Sequence, residues 1–190
     1  MFNLPDSAFI DKVVPKNRFN IKNIQKIVWL YNLSQKTINI PPTDEIKEIQ
    51  IFKVVLLSDE IPKKDLKAIQ SKIPYPILFV LEYQDKIFYA IFDKEQFYCE
   101  DKKEFNFLAN DMKELYQNII KTFFVVDGDF EVSKEIDLKI RKIEKEMKSL
   151  QSKIAKEKQF KYKVELNKKL LSLKKELVEL KSELENCKFR

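Results

Sequence analysis

The last third of the chain has the most regular pattern of hydrophobic positions. Apolar residues recur there in two sets, each with the alternating four- and three-residue spacing that is typical of coiled-coil helices. The first set is Ile136, Ile140, Ile143, Met147, Leu150 and Ile154, and the second set is Leu166, Leu170, Leu173, Leu177, Leu180 and Leu184. Continuing the first set would place Lys161, Lys168 and Lys175 in the seam, so one uninterrupted helix is disfavoured.

The two sets mirror each other about Phe160. Paired positions, such as 150 with 170 and 143 with 177, all sum to 320, as residues at equal height in two antiparallel helices must. The pattern therefore predicts an antiparallel helical hairpin over residues 135–187, with a coiled-coil seam. The alternative is one helix with a phase break that pairs with another chain, because residues 155–165 contain no glycine or proline to form a turn.

The part of the chain before the hairpin carries shorter patterns of both types. Strands are predicted for residues 46–57, 77–83, 86–92 and, at an edge, 97–100, and helices for residues 63–73 and 108–124. Residues 21–33 fit both periods and stay unassigned. Runs of strands with segregated helices indicate the α+β class. We expect a small mixed or antiparallel sheet with packed helices, followed by the hairpin.

Composition and charge change at the same place along the chain. Only two of the 15 phenylalanines, Phe160 and Phe189, lie beyond residue 130. Residues 131–190 hold 18 basic and 11 acidic residues, whereas residues 1–130 hold 18 and 19. The single glycine, Gly128, follows Asp127 at this boundary, and Asp-Gly is a turn signature. The sequence thus predicts two domains, an α+β domain over 1–130 and a basic helical hairpin over 131–190.

Three scarcities exclude several classes of site. With one glycine, the chain cannot form a Walker A loop or a dinucleotide-binding loop. With no histidine, it cannot use Ser–His or Cys–His catalysis or a His-containing metal site. Its two cysteines, Cys99 and Cys187, are too few for a four-cysteine metal site. We therefore predict no catalytic residue, no metal site and no cofactor, and favour a non-enzymatic protein.

The distribution of apolar and sulfur-containing residues bears on the compartment. The longest apolar runs fall far short of the ~20 residues that a membrane span needs. Residues 1–5 show no secretory signal. Two widely separated cysteines in a lysine-rich chain are typical of free thiols in a reducing compartment. The expected localisation is cytoplasmic, without membrane contact.

Around the predicted turn lies the candidate binding site of the chain. Its residues are Lys153, Lys156, Lys158, Phe160, Lys161, Tyr162 and Lys163. Lys168 and Lys169 follow, and Glu157 and Glu165 are the only acidic residues nearby. Lysines neutralise phosphates and exposed aromatic rings stack on bases, so this composition is typical of a nucleic-acid contact. Two interpretations stay open beside it: the lysines solvate a helical face or meet a protein partner, and Phe160 caps the hairpin core.

A carboxylate–lysine site offers an alternative function. Metal-dependent nucleases of the restriction type use an acidic residue followed, at the end of a strand, by Asp/Glu-x-Lys. Three tripeptides match the Asp/Glu-x-Lys part of this motif: Glu45-Ile46-Lys47, Glu100-Asp101-Lys102 and Asp137-Leu138-Lys139. Such tripeptides are expected by chance in a chain with 35% charged residues, and Glu100 comes closest to the required strand end. A small metal-dependent nuclease or other enzyme on the α+β domain is therefore the alternative.

Several segments also carry a family resemblance. They are FNLP at residues 2–5, WLYNLS at 29–34, TINI at 37–40, IPYPILFVLEY at 73–83, KEKQF at 156–160 and KVELN at 163–167. These segments resemble an uncharacterised bacterial domain-of-unknown-function family of small proteins, encoded beside restriction-modification and helicase genes of anti-phage loci. The resemblance covers nearly the whole chain, and the hairpin turn belongs to the family's pattern.

Together, the residues and the resemblance suggest an accessory role. The resemblance implies an adaptor subunit of a bacterial anti-phage defence or restriction system. Its partner would be a larger helicase, nuclease or methyltransferase subunit of a defence complex. The basic hairpin would contact that partner, and DNA or RNA is its second expected ligand.

Overall fold

The computed structural model describes residues 2–101 and 104–187, with side chains up to residue 181. Contacts between Cα atoms divide the chain into two compact units, Met1–Phe123 and Phe124–Arg190. The first unit, called the body below, contains a mixed sheet with short helices. The second contains two long helices. The predicted α+β class with a C-terminal helical hairpin is confirmed.

The sheet of the body has six strands in the described residues, and their spatial order follows the chain. The strands are β1 (Phe9–Val13), β2 (Ile24–Ser34), β3 (Glu48–Leu56), β4 (Ile77–Tyr83), β5 (Lys86–Asp93) and β6 (Gln96–Asp101). Every neighbouring pair is antiparallel except β3 and β4, which run parallel. The predicted strands at 46–57, 77–83 and 86–92 and the edge strand at 97–100 are confirmed.

Three α-helices accompany this sheet in the described residues: α1 (Gln35–Ile38), α2 (Lys63–Gln70) and α3 (Met112–Lys121). Helix α2 connects β3 to β4, because parallel neighbours need a crossover rather than a hairpin. Leu66 and Ile69 of α2 pack in one buried cluster with Phe79 and Leu81 of β4. Leu78 and Val80, the residues that alternate with those two on β4, are buried as well, so β4 has an unbroken apolar run, as a strand covered on both faces should.

Two β-bulges explain why residues 21–33 fit no single period. The pairing of β2 with β3 shifts by one residue between Ile24 and Lys26, and again between Trp29 and Tyr31. Each extra residue inverts the inward–outward alternation of the strand. The resulting sequence of buried positions combines steps of one, two and three residues, which resembles a helical pattern.

Strand β1 and the start of α3 also differ from the sequence-based expectation. All five residues of β1 are exposed, so the strand has no apolar alternation to detect. Helix α3 begins at Met112 rather than near residue 108, because the Asp111 side chain accepts a hydrogen bond from the Glu114 backbone N–H at 2.8 Å. Such a cap satisfies a free donor of the first turn and ends the preceding loop.

The second unit is the predicted helical hairpin. Helix α4 (Phe130–Lys156) and helix α5 (Phe160–Cys187) pack together through a connection of only three residues. Within each seam the described side chains are buried or half-buried, and Leu150 and Leu170, which the seam pattern pairs, are both buried. The side chain of Leu184, the last predicted seam residue, lies outside the described residues.

A glutamate side chain makes this short turn possible without glycine or proline. The Glu157 backbone N–H donates to the Lys153 carbonyl at 2.9 Å and so closes α4. The Glu157 carboxylate then accepts a hydrogen bond from the Gln159 backbone N–H at 2.8 Å, just before α5 begins. Its negative charge also lies at the positive end of the α5 dipole. Side-chain hydrogen bonding thus takes the place of a flexible residue.

Removing the hairpin should leave a folded body. Residues 1–130 contain 13 of the 15 phenylalanines and the only tryptophan, so the aromatic core is complete without the tail. We expect a protein ending at residue 132 to show one cooperative thermal transition by near-ultraviolet circular dichroism. A product that aggregates or melts without cooperativity would contradict this prediction.

Candidate binding site at the hairpin tip

The hairpin tip, residues 153–169, combines the end of α4, the turn and the first turns of α5. All seven of its lysines are exposed: Lys153, Lys156, Lys158, Lys161, Lys163, Lys168 and Lys169. In the part of the chain that the structure describes, no carboxylate lies within ion-pair distance of any of them. One of the two acidic residues, Glu157, is engaged with the turn backbone. The tip therefore presents positive charge directly to solvent.

Part of this charge surrounds a concavity of about 450 Å³ between the two helices. Its lining consists of Lys153, Lys156, Glu157, Tyr162, Glu165, Leu166 and Lys169. The residues from α5 follow the helical spacing of three or four, so they share one face of that helix. The aromatic ring of Tyr162 lies among three lysines at this place, and 52% of the residue is exposed.

The structure brings some predicted site residues together and not others. Lys153, Lys156 and Tyr162 line the concavity, whereas Lys158, Lys161 and Lys163 lie exposed outside it. The sequence had not singled out Leu166 as a site residue, although its position four residues after Tyr162 signals a shared helical face.

Phe160 decides one of the interpretations that the sequence left open. It is the first residue of α5, and 81% of it is exposed to solvent. A residue that capped the hairpin core would be buried against the seam, so the capping interpretation is wrong. Keeping a phenylalanine in water forgoes about 1.5–3 kcal/mol of burial free energy. The ring is thus available for contact with another molecule.

The three carboxylate–lysine tripeptides lie in unrelated settings. Glu45 precedes β3 and pairs with Lys113 at 2.9 Å. Asp137 is fully buried in α4, where it accepts hydrogen bonds from the Val125 backbone N–H at 3.0 Å and Arg141 Nε at 2.7 Å. Glu100 lies on edge strand β6, and its companion Lys102 lies outside the described residues. No three carboxylate or thiol side chains among the described residues are placed to hold one metal ion.

Cys99 and Glu82 both lie in the sheet, where their surroundings fit structural roles. Burial raises the pKa of the Cys99 thiol to about 11, and the neighbouring Glu100 charge adds to this effect. Cys99 is therefore protonated at neutral pH, as an ordinary half-buried thiol. Glu82, at the end of β4, forms a salt bridge with Lys53 of β3 at 2.7 Å.

A second concavity, of about 740 Å³, lies in the body and was not expected from the sequence. Its aromatic lining consists of Phe2, Tyr89, Phe105 and Phe107. The Phe2 ring contacts the other three rings, and also that of Tyr31, at centroid distances of 5.4–6.0 Å. These rings stabilise the attachment of the N-terminal segment to the sheet.

None of the helices in the described residues is both long enough and apolar enough to cross a lipid bilayer.

Comparison with known proteins places the chain in one family. No curated protein and no solved structure is similar enough to this chain to count as a match. The family described as Domain of unknown function (DUF4391) matches residues 2–177, which include the body, the hairpin tip and most of α5. The chain belongs to the DUF4391 family.

Proposed function

We propose that this protein is a non-enzymatic accessory subunit of a bacterial restriction or anti-phage defence system, and that its hairpin tip contacts nucleic acid. In this proposal it works in the cytoplasm beside a larger helicase, nuclease or methyltransferase. The observation that carries the nucleic-acid contact is the exposure of Phe160 among exposed lysines. The defence setting rests on the resemblance of the sequence segments described above.

The arrangement of charge and rings supports a nucleic acid as the ligand. The seven tip lysines can neutralise backbone phosphates and release condensed counterions, which supplies affinity without sequence preference. Phe160 and Tyr162 lie two residues apart on α5 and so point to different sides of the helix. Bases whose faces are free can stack on such rings, each stacked base contributing about 1–3 kcal/mol. The expected ligand is therefore single-stranded or locally unpaired.

The length of the hairpin supports the same function. Each arm has 27 or 28 residues and extends about 40 Å from its first residue. Among the side chains that the structure describes on the two helices, exposed aromatic residues lie within a lysine-dense, acid-poor segment at the tip. A long arm that ends in such a segment can reach a nucleic acid held by a larger partner.

Replacing Phe160 tests this proposal. We expect Phe160→Ala to weaken binding of a short labelled oligothymidylate about tenfold, because one stacked base is lost, and to leave the melting temperature unchanged. Fluorescence anisotropy at low salt measures the affinity, and circular dichroism measures the melting temperature. Leu108→Ala is the matched control, since Leu108 of the body is equally exposed, at 82%.

Two results would contradict the proposal. The first is that the unmodified protein binds neither DNA nor RNA at low salt, where electrostatic attraction is strongest. The second is that Phe160→Ala and Leu108→Ala affect binding equally. In either case the tip would face an acidic protein surface instead.

A further inference from the structure

Helix α5 has a second apolar surface that does not belong to the seam with α4. Val164, Leu171 and Val178 recur at every seventh residue, and their exposed fractions are 37%, 58% and 66%. We call these three residues the outer stripe. Because seven residues make nearly two turns, the three side chains lie in one line, about 10.5 Å apart. The outer stripe is therefore a straight apolar ridge about 21 Å long.

The charged residues beside the outer stripe all have the same sign. On a helix, the neighbours of a residue are those three and four positions away. At these positions around the outer stripe, the charged residues are Lys161, Lys168, Lys174, Lys175 and Lys181, and all five are exposed. Leu138, an exposed apolar residue of α4, differs: its neighbours include both Glu135 and Lys142.

We infer that the outer stripe docks an acidic amphipathic helix of a partner protein, which completes a three-helix bundle with α4 and α5. A coiled-coil seam consists of two lines of apolar residues, each repeating every seven positions, and the outer stripe supplies one such line to a facing helix. Lysines on both sides of such a ridge select a partner with Asp and Glu beside its apolar positions, as flanking charges do in coiled coils. The partner's chemistry follows from this charge pattern.

Other occupants fit the outer stripe less well. A second copy of this chain, antiparallel about Leu171, would place Lys168 against Lys174 and Lys161 against Lys181, and such like-charge pairs are destabilising. A nucleic acid would use the lysines but gain nothing from aliphatic residues that cannot stack. A lipid surface would be met by a broad apolar face, whereas this ridge is one residue wide.

The inference rests on the proposed function only in that an accessory subunit needs a docking surface. The outer stripe is distinct from the tip residues Phe160 and Tyr162. Variants of the stripe leave these rings and every tip lysine in place, so failure of the docking inference is distinguishable from failure of nucleic-acid binding.

The test uses the full-length protein and two designed helical peptides of about three heptads. Both peptides carry leucine in a single stripe, and glutamate flanks the stripe in one while lysine flanks it in the other. Isothermal titration calorimetry at low salt measures binding. We expect the glutamate peptide to bind, with an affinity that falls as salt is added, and the lysine peptide not to bind.

Substitutions then locate the contact. The double variant Leu171→Ser, Val178→Ser should weaken binding of the glutamate peptide at least about tenfold, because two buried aliphatic contacts are lost. The matched control, Leu57→Ser with Val132→Ser, removes a leucine and a valine that are each 56% exposed, and should bind as the unmodified protein does. Thermal melting should be nearly unchanged in both variants, since all four residues lie at the surface.

Several results would overturn the inference. Equal binding of the two peptides would show that the flanking lysines do not select an acidic partner. Absence of binding by the glutamate peptide, or full binding by the double variant, would remove the outer stripe as the docking surface. A self-association that Leu171→Ser abolishes would make a second copy the occupant. Cosedimentation with anionic phospholipid vesicles that depends on Leu171 would make it a lipid surface.

Discussion

Changing Lys156, Lys158, Lys161 and Lys163 to glutamine should abolish most nucleic-acid binding by the full-length protein at moderate salt. Each lost phosphate contact lowers the slope of log affinity against log salt by about 0.7–0.9, so four lost contacts should lower the slope by about 3. Stability should hardly change, because exposed charges outside the seam contribute little to folding. Anisotropy titrations at several salt concentrations measure both the affinity and the slope.

A matched control separates the position of these charges from their number. Lys26, Lys36, Lys64 and Lys72 are exposed lysines of the body, and changing them to glutamine also lowers the formal net charge from +6 to +2. This control should keep most of the affinity and the salt slope. If it loses as much as the tip variant, binding depends on overall charge, and the tip is not the contact site.

The second large effect is expected for stability. Asp137→Ala should lower the free energy of unfolding of the hairpin unit by about 3 kcal/mol. The substitution leaves the Val125 backbone N–H without its carboxylate acceptor and takes away the ion-pair partner that lies 2.7 Å from Arg141 Nε. Removing one partner of a buried pair costs far more than the pair itself contributes. Urea-induced loss of helical circular dichroism measures the change.

Glu135→Ala is the matched control for this substitution. Glu135 lies two residues earlier on α4 and pairs with Lys139 at the same four-residue spacing, at 2.7 Å, but both side chains are largely exposed. The hydrogen bond from Lys139 and its charge lower the pKa of the Glu135 carboxyl. Because solvent screens an exposed pair, its loss should change stability only slightly. Equal destabilisation by both substitutions would contradict the role assigned to the buried carboxylate.

The hairpin was predictable because its seam depends on a long-range repeat that few other structures produce. Twelve apolar positions with a constant pairwise sum leave little choice of register. Its turn was not predictable in detail, because Glu157 replaces a glycine through a side-chain hydrogen bond that spacing alone does not reveal. In the body, the bulges of β2 disrupt the alternation of buried and exposed residues on which strand prediction depends. Strand β1 is exposed throughout and shows no such alternation.

The candidate site was predictable in composition but not in geometry. The lysines and both rings are evident in the sequence, yet whether Phe160 faces the seam or solvent depends on the residue at which α5 begins. A shift of one residue turns a helical side chain by about 100°. The concavity beside Tyr162 likewise depends on the angle between the ends of two helices, which no local pattern specifies.

The residues at the start of α3 carry a sequence signal from which the first residue of this helix could have been predicted. Asp111 precedes Glu114 by three residues, which is the spacing of a capping pair at a helix N-terminus. The Glu114 carboxylate also accepts a hydrogen bond from the Asn110 backbone N–H at 2.7 Å. Leu108, which extended the apolar pattern, is excluded from the helix because the cap begins after it.

The strand order of the sheet has a consequence for how the protein is made. Since the six strands lie side by side in the order of the chain, each strand that leaves the ribosome finds its neighbour already synthesised. The longest segment between two neighbouring strands separates β3 from β4, and this segment contains α2. Pairing between sequence neighbours keeps loop-closure costs low and shortens the time for which unpaired strand edges are exposed. The body can therefore assemble strand by strand during translation, before the hairpin has been synthesised.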